Sequence, residues 1–239
     1  MVSRRVSRRK GQPSNDPAVG IGAASIRWEA TFRSLEAFDC EIADDGGRSR
    51  IVAGVDEAGR GALAGPVVSA AVILPRACAL LGVDDSKKVP EHLREELFAR
   101  IVSTAVSVRI AFAPPSLIDR INILQATLVT MRRAVVRLRP RPDIVLVDGR
   151  DAFEWDGPVV TVCKGDGRSL SIAAASIVAK VARDRLMRRL HVRFPQYNFA
   201  SNKGYGSQEH VEAILAHGIA GVHRRSFHLK AVENEPEMF

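Results

Sequence analysis

The sequence predicts a mixed α/β domain, with helices flanking one central sheet. Short β-branched runs of strand length recur along the chain. Between them lie segments whose apolar residues repeat every three or four positions. Ile51-Val-Ala-Gly-Val55 and Val67 to Leu74 read as two strands joined by a glycine-rich connection, Gly59-Arg-Gly61 to Gly65-Pro66. Pro90 suits a first helical turn, and Leu93, Leu97 and Ile101 follow at four-residue spacing. Val106 to Phe112 reads as a third strand. A longer helix is expected over Ile121 to Leu138, where Leu124, Leu128, Met131 and Val135 share a face. Ile144–Val147 and Val159–Val162 are β-branched runs of the kind buried in a parallel or mixed sheet. A helix from Leu170 to His191 closes the series, its first half small enough in side chain to press closely on a sheet.

Residues 1–48 read as a basic, partly disordered extension before a domain at 49–232, with an acidic tail at 233–239. The first ten residues hold five basic side chains and no acid, and the composition up to Asp16 offers too little apolar surface to offset ordering. Trp28, Phe32, Leu35 and Phe38 predict a short helix within Ile26 to Ile42, ended by the turn signal Asp44-Asp-Gly-Gly47.

Composition excludes several classes. A chain of 239 residues, 46% hydrophobic and 26% charged, can bury a sizeable core and is neither collagen-like, coiled-coil nor fully disordered. Its longest apolar stretch, Ala62 to Leu74, is interrupted and falls short of the ~18 residues a membrane helix needs. The Arg pairs near the N-terminus precede no apolar segment, so export is not expected. Three widely spaced cysteines, Cys40, Cys78 and Cys163, suit neither a disulfide framework nor a zinc site, and a reducing cytoplasm is the expected location. The net charge of +8, with nine Lys/Arg against three acids between Val181 and Lys230, points to a polyanionic partner or to a merely solvated basic surface.

Four acids stand where apolar runs stop: Asp56 and Glu57, Asp148, and Asp166. Strand ends are where open α/β sheets form ligand crevices. Carboxylates converging there would raise each other's proton affinity unless a hard cation such as Mg²⁺ or Mn²⁺ neutralised them. The plainer alternative makes each acid a helix cap or a solvated turn residue. Strand neighbours point to opposite faces, so Asp56 and Glu57 would share a metal only if the strand kinks. The Gly59–Gly65 loop lacks Walker and dinucleotide spacing, although its backbone N–H groups can approach a phosphate or sugar. Of the six histidines, four fall in the last thirty residues, where surface roles are expected for most.

The residues Gly54-Val-Asp-Glu-Ala-Gly-Arg-Gly-Ala-Leu-Ala-Gly-Pro-Val-Val68 closely resemble the signature of the ribonuclease HII family. The resemblance continues through Asp85-Ser-Lys-Lys88, Asn122–Thr127, Val147-Asp-Gly149, Lys164-Gly-Asp166, Ala174–Lys180, Lys203-Gly-Tyr205 and His223-Arg-Arg-Ser-Phe227, in family order. It implies a ribonuclease H-like fold with a helical C-terminal region. The implied activity is endonucleolytic cleavage of RNA paired to DNA and 5′ of single ribonucleotides in duplex DNA. By the same resemblance, Asp56, Glu57, Asp148 and Asp166 form the catalytic tetrad, with Asp56, Glu57 and Asp148 as metal ligands in a two-ion Mn²⁺ or Mg²⁺ site. Gly59, Arg60, Gly61 and Tyr205 would read the 2′-hydroxyl, and Lys180 and Arg183 would contact phosphates. Asp184 is read as a helix-surface or Arg-pairing residue. Ala62 stands where the family commonly has Pro, and Val89 where it commonly has Leu. The expected partner is nucleic acid, namely an RNA–DNA hybrid or a duplex with embedded ribonucleotides, and the expected state is a monomer. A sliding-clamp contact is left open by Met238-Phe239. The alternatives are another nuclease of the same fold and a nucleic-acid-binding protein without catalysis.

Overall fold

The computed structural model describes residues 17–227, with side chains from residue 27 onward. The Arg-rich stretch at 1–16 and the acidic tail at 233–239 therefore lie outside the described residues. Helix α1 (Pro17–Ala43) is longer than its sequence signal and is followed by a two-residue hairpin, β1 (Asp44–Asp45) and β2 (Arg48–Ser49). Gly46 and Gly47 turn that hairpin with positive φ (61° and 99°), the backbone that two-residue turns require. The core continues with β3 (Val52–Ala58), β4 (Val67–Ile73), α2 (Glu91–Thr104), β5 (Ser107–Ala113), α3 (Pro115–Ile121), α4 (Ile123–Val135), β6 (Ile144–Asp148) and β7 (Val159–Val162). Helix α5 (Leu170–Arg193) follows, then the short α6 (Phe199–Asn202) and α7 (Gln208–His217).

The five longer strands form one sheet in the order β5-β4-β3-β6-β7. β3 pairs antiparallel with β4 and parallel with β6, so the sheet is mixed, as the sequence predicts. Alternation sends Ala53 and Val55 to a core shared with Met131, Ala134 and Val135 of α4. Gly54, Asp56 and Ala58 face α5. A Cβ on Gly54 would fall 2.1 Å from the Ser171 carbonyl carbon, so strand and helix backbones touch directly there. The small residues Ala173, Ala174 and Ala175 allow that approach, while Ile172 and Ile177, fully buried, each contribute ~1.5–3 kcal/mol of burial.

Two expectations change. The single helix over 121–138 is broken at Asn122, whose φ of +64° ends α3 and whose side chain caps α4 by accepting from Gln125 N–H (3.0 Å). The N-terminal helix also does more than precede the domain. Phe32 and Leu35 enter the α2–α5 core, and Asp39 accepts hydrogen bonds from Ser169 Oγ (2.6 Å) and Ser171 N (2.8 Å) at the start of α5.

Candidate active site

β3 and β6 are parallel neighbours, so Asp56 and Asp148 leave the sheet at the same edge. The register of β3 with β4 stays regular through Ala58, so the kink set as the condition for Asp56 and Glu57 to share a metal is absent. The longer Glu57 side chain instead comes within hydrogen-bonding reach of the Asp56 carboxyl, and Asp56 Oδ1 accepts from Glu57 N–H (2.7 Å). Burial, then Glu57, then Asp148 push the Asp56 carboxyl well above the usual carboxylate range. Burial also raises Glu57, against the pull of Arg60, whose guanidinium lies 3.6 Å away. Asp148 Oδ1 accepts from Gly165 N–H (2.6 Å), which ties β6 to the turn carrying Asp166. Burial, Asp148 and Asp85 raise Asp166, and Lys87, 3.6 Å away, partly offsets them.

All four predicted acids thus lie at one edge. Among the described residues no group of three or more His, Cys, Asp and Glu side chains is gathered tightly enough to hold an ion as it stands. The donor set nevertheless fits a hard divalent cation. It is all carboxylate oxygen, Asp56, Glu57 and Asp166 are held above their ordinary range, and an ammonium from Lys87 already leans toward them. Lys87 and Asp85 carry no role in the sequence reading. Burial would lower the Lys87 ammonium, but Asp166, Asp85, Asp56 and Asp148 together hold it above its ordinary value. Their signal was present in the Asp85-Ser-Lys-Lys88 motif.

The Gly59–Gly65 loop lies against α5 and the C-terminal segment. Gly59 takes φ +94°, and a Cβ there would overlap the Arg183 guanidinium. Arg224 donates to the carbonyls of Gly59 (2.7 Å) and Arg60 (2.7 Å). In a trans peptide the N–H points opposite to the C=O, so the N–H groups of Arg60 and Gly61 face outward. Among the described residues nothing lies within 4 Å of where a Gly61 Cβ would be. Tyr205 stands beside the loop, 37% exposed, its ring 5.2 Å from the Arg183 guanidinium and 5.9 Å from the Lys180 ammonium.

Three sequence assignments need correction. Arg183 is fully buried and donates to the carbonyls of Pro66 (3.0 Å), Lys203 (2.9 Å) and Ala64 (3.1 Å), so it holds the loop rather than a phosphate. Asp184 is buried, not on the helix surface, and its partner is Lys180 (2.7 Å), not an Arg. Lys180 therefore spends one donor on Asp184 and, still partly exposed, leans over Tyr205. His210 and His223 are buried, because the apolar cluster of Tyr197 and Phe199 closes around them.

Residues 53–230 match the family model for Ribonuclease HII. The ribonuclease HII of Geotalea daltonii is 53% identical over 194 residues, covering 81% of this chain and 89% of that one. Among solved structures, the ribonuclease H2 of Pyrococcus horikoshii is 28% identical with a TM-score of 0.63, covering 74% of this chain and 93% of its own. The RNase HII of Archaeoglobus fulgidus, solved in complex with PCNA, is 29% identical with a TM-score of 0.65, covering 75% and 96%. The chain belongs to the ribonuclease HII family. It is a metal-dependent endoribonuclease of the ribonuclease H type, acting on RNA–DNA hybrids and on ribonucleotides embedded in DNA. Among the described residues no helix is long and apolar enough to cross a membrane.

Proposed function

We propose that Asp56, Glu57 and Asp148 hold the catalytic cation, with Asp166 completing the set, and that the Gly59–Gly61 loop and Tyr205 read the 2′-hydroxyl. The observation that carries this reading is the meeting of Asp56 and Asp148 at one edge of parallel strands, where burial and then the neighbouring acids raise Asp56, beside a loop whose N–H groups face outward. Bound there, a pair of Mg²⁺ or Mn²⁺ ions would supply an activated water and stabilise the departing 3′-oxygen, giving 5′-phosphate and 3′-hydroxyl ends.

The chain's own residues then divide the work. The carboxylates fix where the scissile phosphate lies. The Arg60 and Gly61 N–H groups face an acceptor on the ribose, and the bare Gly61 α-carbon lets that ribose come close. The Tyr205 hydroxyl donates or accepts at the 2′-oxygen, the group that distinguishes RNA from DNA. Lys87 and Lys180 remain available to neighbouring phosphates, a contact that positions the duplex without reading its sequence. A clamp partner comes to this chain only through its likeness to the Archaeoglobus relative, and its candidate contact, Met238-Phe239, lies outside the described residues.

The test uses a DNA duplex with one ribonucleotide, an all-DNA duplex and an RNA–DNA hybrid, each with Mg²⁺, Mn²⁺ or EDTA. The expected result is a metal-dependent nick 5′ of the lone ribonucleotide, with no cut in all-DNA and none by Asp56→Asn. Cleavage of hybrids alone would remove the reader role of Tyr205 and the loop. Binding without any cleavage would instead favour a non-catalytic module.

A further inference from the structure

The two halves of the reader come from distant parts of the chain, and one dipeptide is tied to both, to the loop directly and to Tyr205 through His210. Arg224 holds the carbonyls of Gly59 and Arg60 and, through Nε, that of Gly65 (3.0 Å). Its neighbour His223 is buried against His210, with their Nε2 atoms 3.1 Å apart, and His210 Nδ1 lies 2.8 Å from the Tyr205 carbonyl. The dipeptide is itself fixed. Gly65 N–H donates to Val222 O (2.8 Å), Arg224 N–H to Leu63 O (2.9 Å), and Ser226 donates twice to Asp119 (2.9 and 2.7 Å).

Ring-proton positions follow from the partners. Ala220 N–H donates to His223 Nδ1 at 2.9 Å, nearer than the Ala220 carbonyl at 3.3 Å, so that nitrogen is the acceptor. The neutral His223 ring then carries its proton on Nε2 and donates it to His210 Nε2. His210 in turn carries its proton on Nδ1 and donates it to the Tyr205 carbonyl. The chain of donors runs one way, from Ala220 to the Tyr205 carbonyl, which also accepts from Ser207 N–H (2.9 Å). A proton added to either ring would set two N–H groups face to face. Burial, with His210 alongside, lowers His223 to about 4, and burial lowers His210 as well, which keeps both rings neutral near pH 7.

We propose that His210, His223 and Arg224 are positioning residues for ribonucleotide discrimination: they form a hydrogen-bonded strut that holds Tyr205 and the Gly59–Gly61 loop at one fixed separation, matched to a ribose bearing its 2′-hydroxyl. The proposal rests on the reading of Tyr205 and the loop as the 2′-hydroxyl reader.

His210 permits a test in which stability and hydrogen bonding part company. His210→Phe fills the volume among Tyr197 and Phe199 but cannot donate to Tyr205. His210→Asn leaves a cavity but places an amide N–H near the Nδ1 position. On a duplex with one ribonucleotide, His210→Phe is expected to lower kcat ~10- to 100-fold, the cost of a small misplacement, while Kd for the duplex changes less than about twofold. His210→Asn is expected to stay within about threefold of the parent although it melts at a lower temperature. In a Tyr205→Ala background, His210→Phe should add less than about twofold, since its effect passes through the Tyr205 ring.

Activity that instead follows melting temperature, with Asn worse than Phe, overturns the proposal. So does an undiminished effect of His210→Phe in Tyr205→Ala. If Tyr205→Ala itself cleaves normally, the reader assignment falls and the strut with it. If Tyr205→Ala is impaired and His210→Phe is not, only the strut falls. Should His210→Phe fail to fold, Arg224→Lys carries the test: it keeps the charge but loses the fork that spans several carbonyls. A ~10-fold fall in kcat at unchanged duplex Kd is expected, and an unchanged kcat overturns the proposal.

Discussion

The acid cluster and the mount of the Gly59–Gly65 loop lie side by side, yet their charges are handled in opposite ways. Asp56, Glu57 and Asp166 face one another with Lys87 and Arg60 as nearby cations, and all three carboxyls are held above their ordinary range. Arg183 and Arg224 are at least as deeply buried but, among the described residues, form no ion pair with a carboxylate. Each spreads its charge over three backbone carbonyls. Burial, then Arg183 beside it, lowers Arg224 to about 9, so it stays protonated near neutral pH. The acids are left under-neutralised, and the arginines that hold the loop are saturated. The contrast predicts opposite signs for mutations in the two regions.

The largest effect is expected in the mount. Arg183→Leu strands the carbonyls of Ala64, Pro66 and Lys203. At ~1–3 kcal/mol for each unsatisfied group, the loss should reach ~3 kcal/mol or more, lowering the melting temperature by roughly 6–12 °C. A melt within a degree of the parent would show the mount to be dispensable.

In the acid cluster, the metal-free Asp56→Asn protein should melt a few degrees above the parent, because a carboxyl whose pKa is raised by burial and by Glu57 and Asp148 is costlier to ionise in the folded protein than in the unfolded chain. The sign follows from linkage. The native pKa is raised, so the stability the group contributes is present at low pH and lost as pH rises through that value. The gap between the two proteins should therefore narrow on acidification, which melts from pH 8 down to 5 would show. Added Mn²⁺ should stabilise the parent and leave Asp56→Asn nearly unmoved.

The smallest effect concerns the strut. His223 has its pKa lowered to about 4, so its contribution is complete above the ordinary value of 6.5 and is lost as pH falls toward 4. Imidazole NMR should place its titration midpoint near 4. A midpoint at 6.5 would mean that His223 and His210 are not locked together.

The sheet was legible because its strands are β-branched runs, and the acids because each stands where such a run ends. The mount was not. Arg183 sits in a helix rich in arginine, and composition does not say that this one turns inward while Arg185 and Arg188 pair outward with Glu95. His210 and His223 belong to different elements, and no local pattern announces a contact made only when α7 folds back on the last segment. The break at Asn122 was masked by apolar spacing that runs straight through it, since periodicity is blind to one left-handed residue. Asp39 was hidden for the same reason as the histidines. Its hydrogen-bond partners, Ser169 and Ser171, lie 130 and 132 residues further along the chain.

The contact at Gly54 sets the tolerances of the whole site. Asp56 stands two residues along the strand from it, and Ser171 follows closely on the turn that carries Asp166. The spacing between those two acids is therefore gauged by bare backbone pressed on bare backbone, a thickness that no choice of rotamer can alter. Core layers elsewhere can be repacked, swelled or thinned while this dimension holds. An alanine at Gly54 would act as a shim, prising the helix from the strand and opening the acids with it.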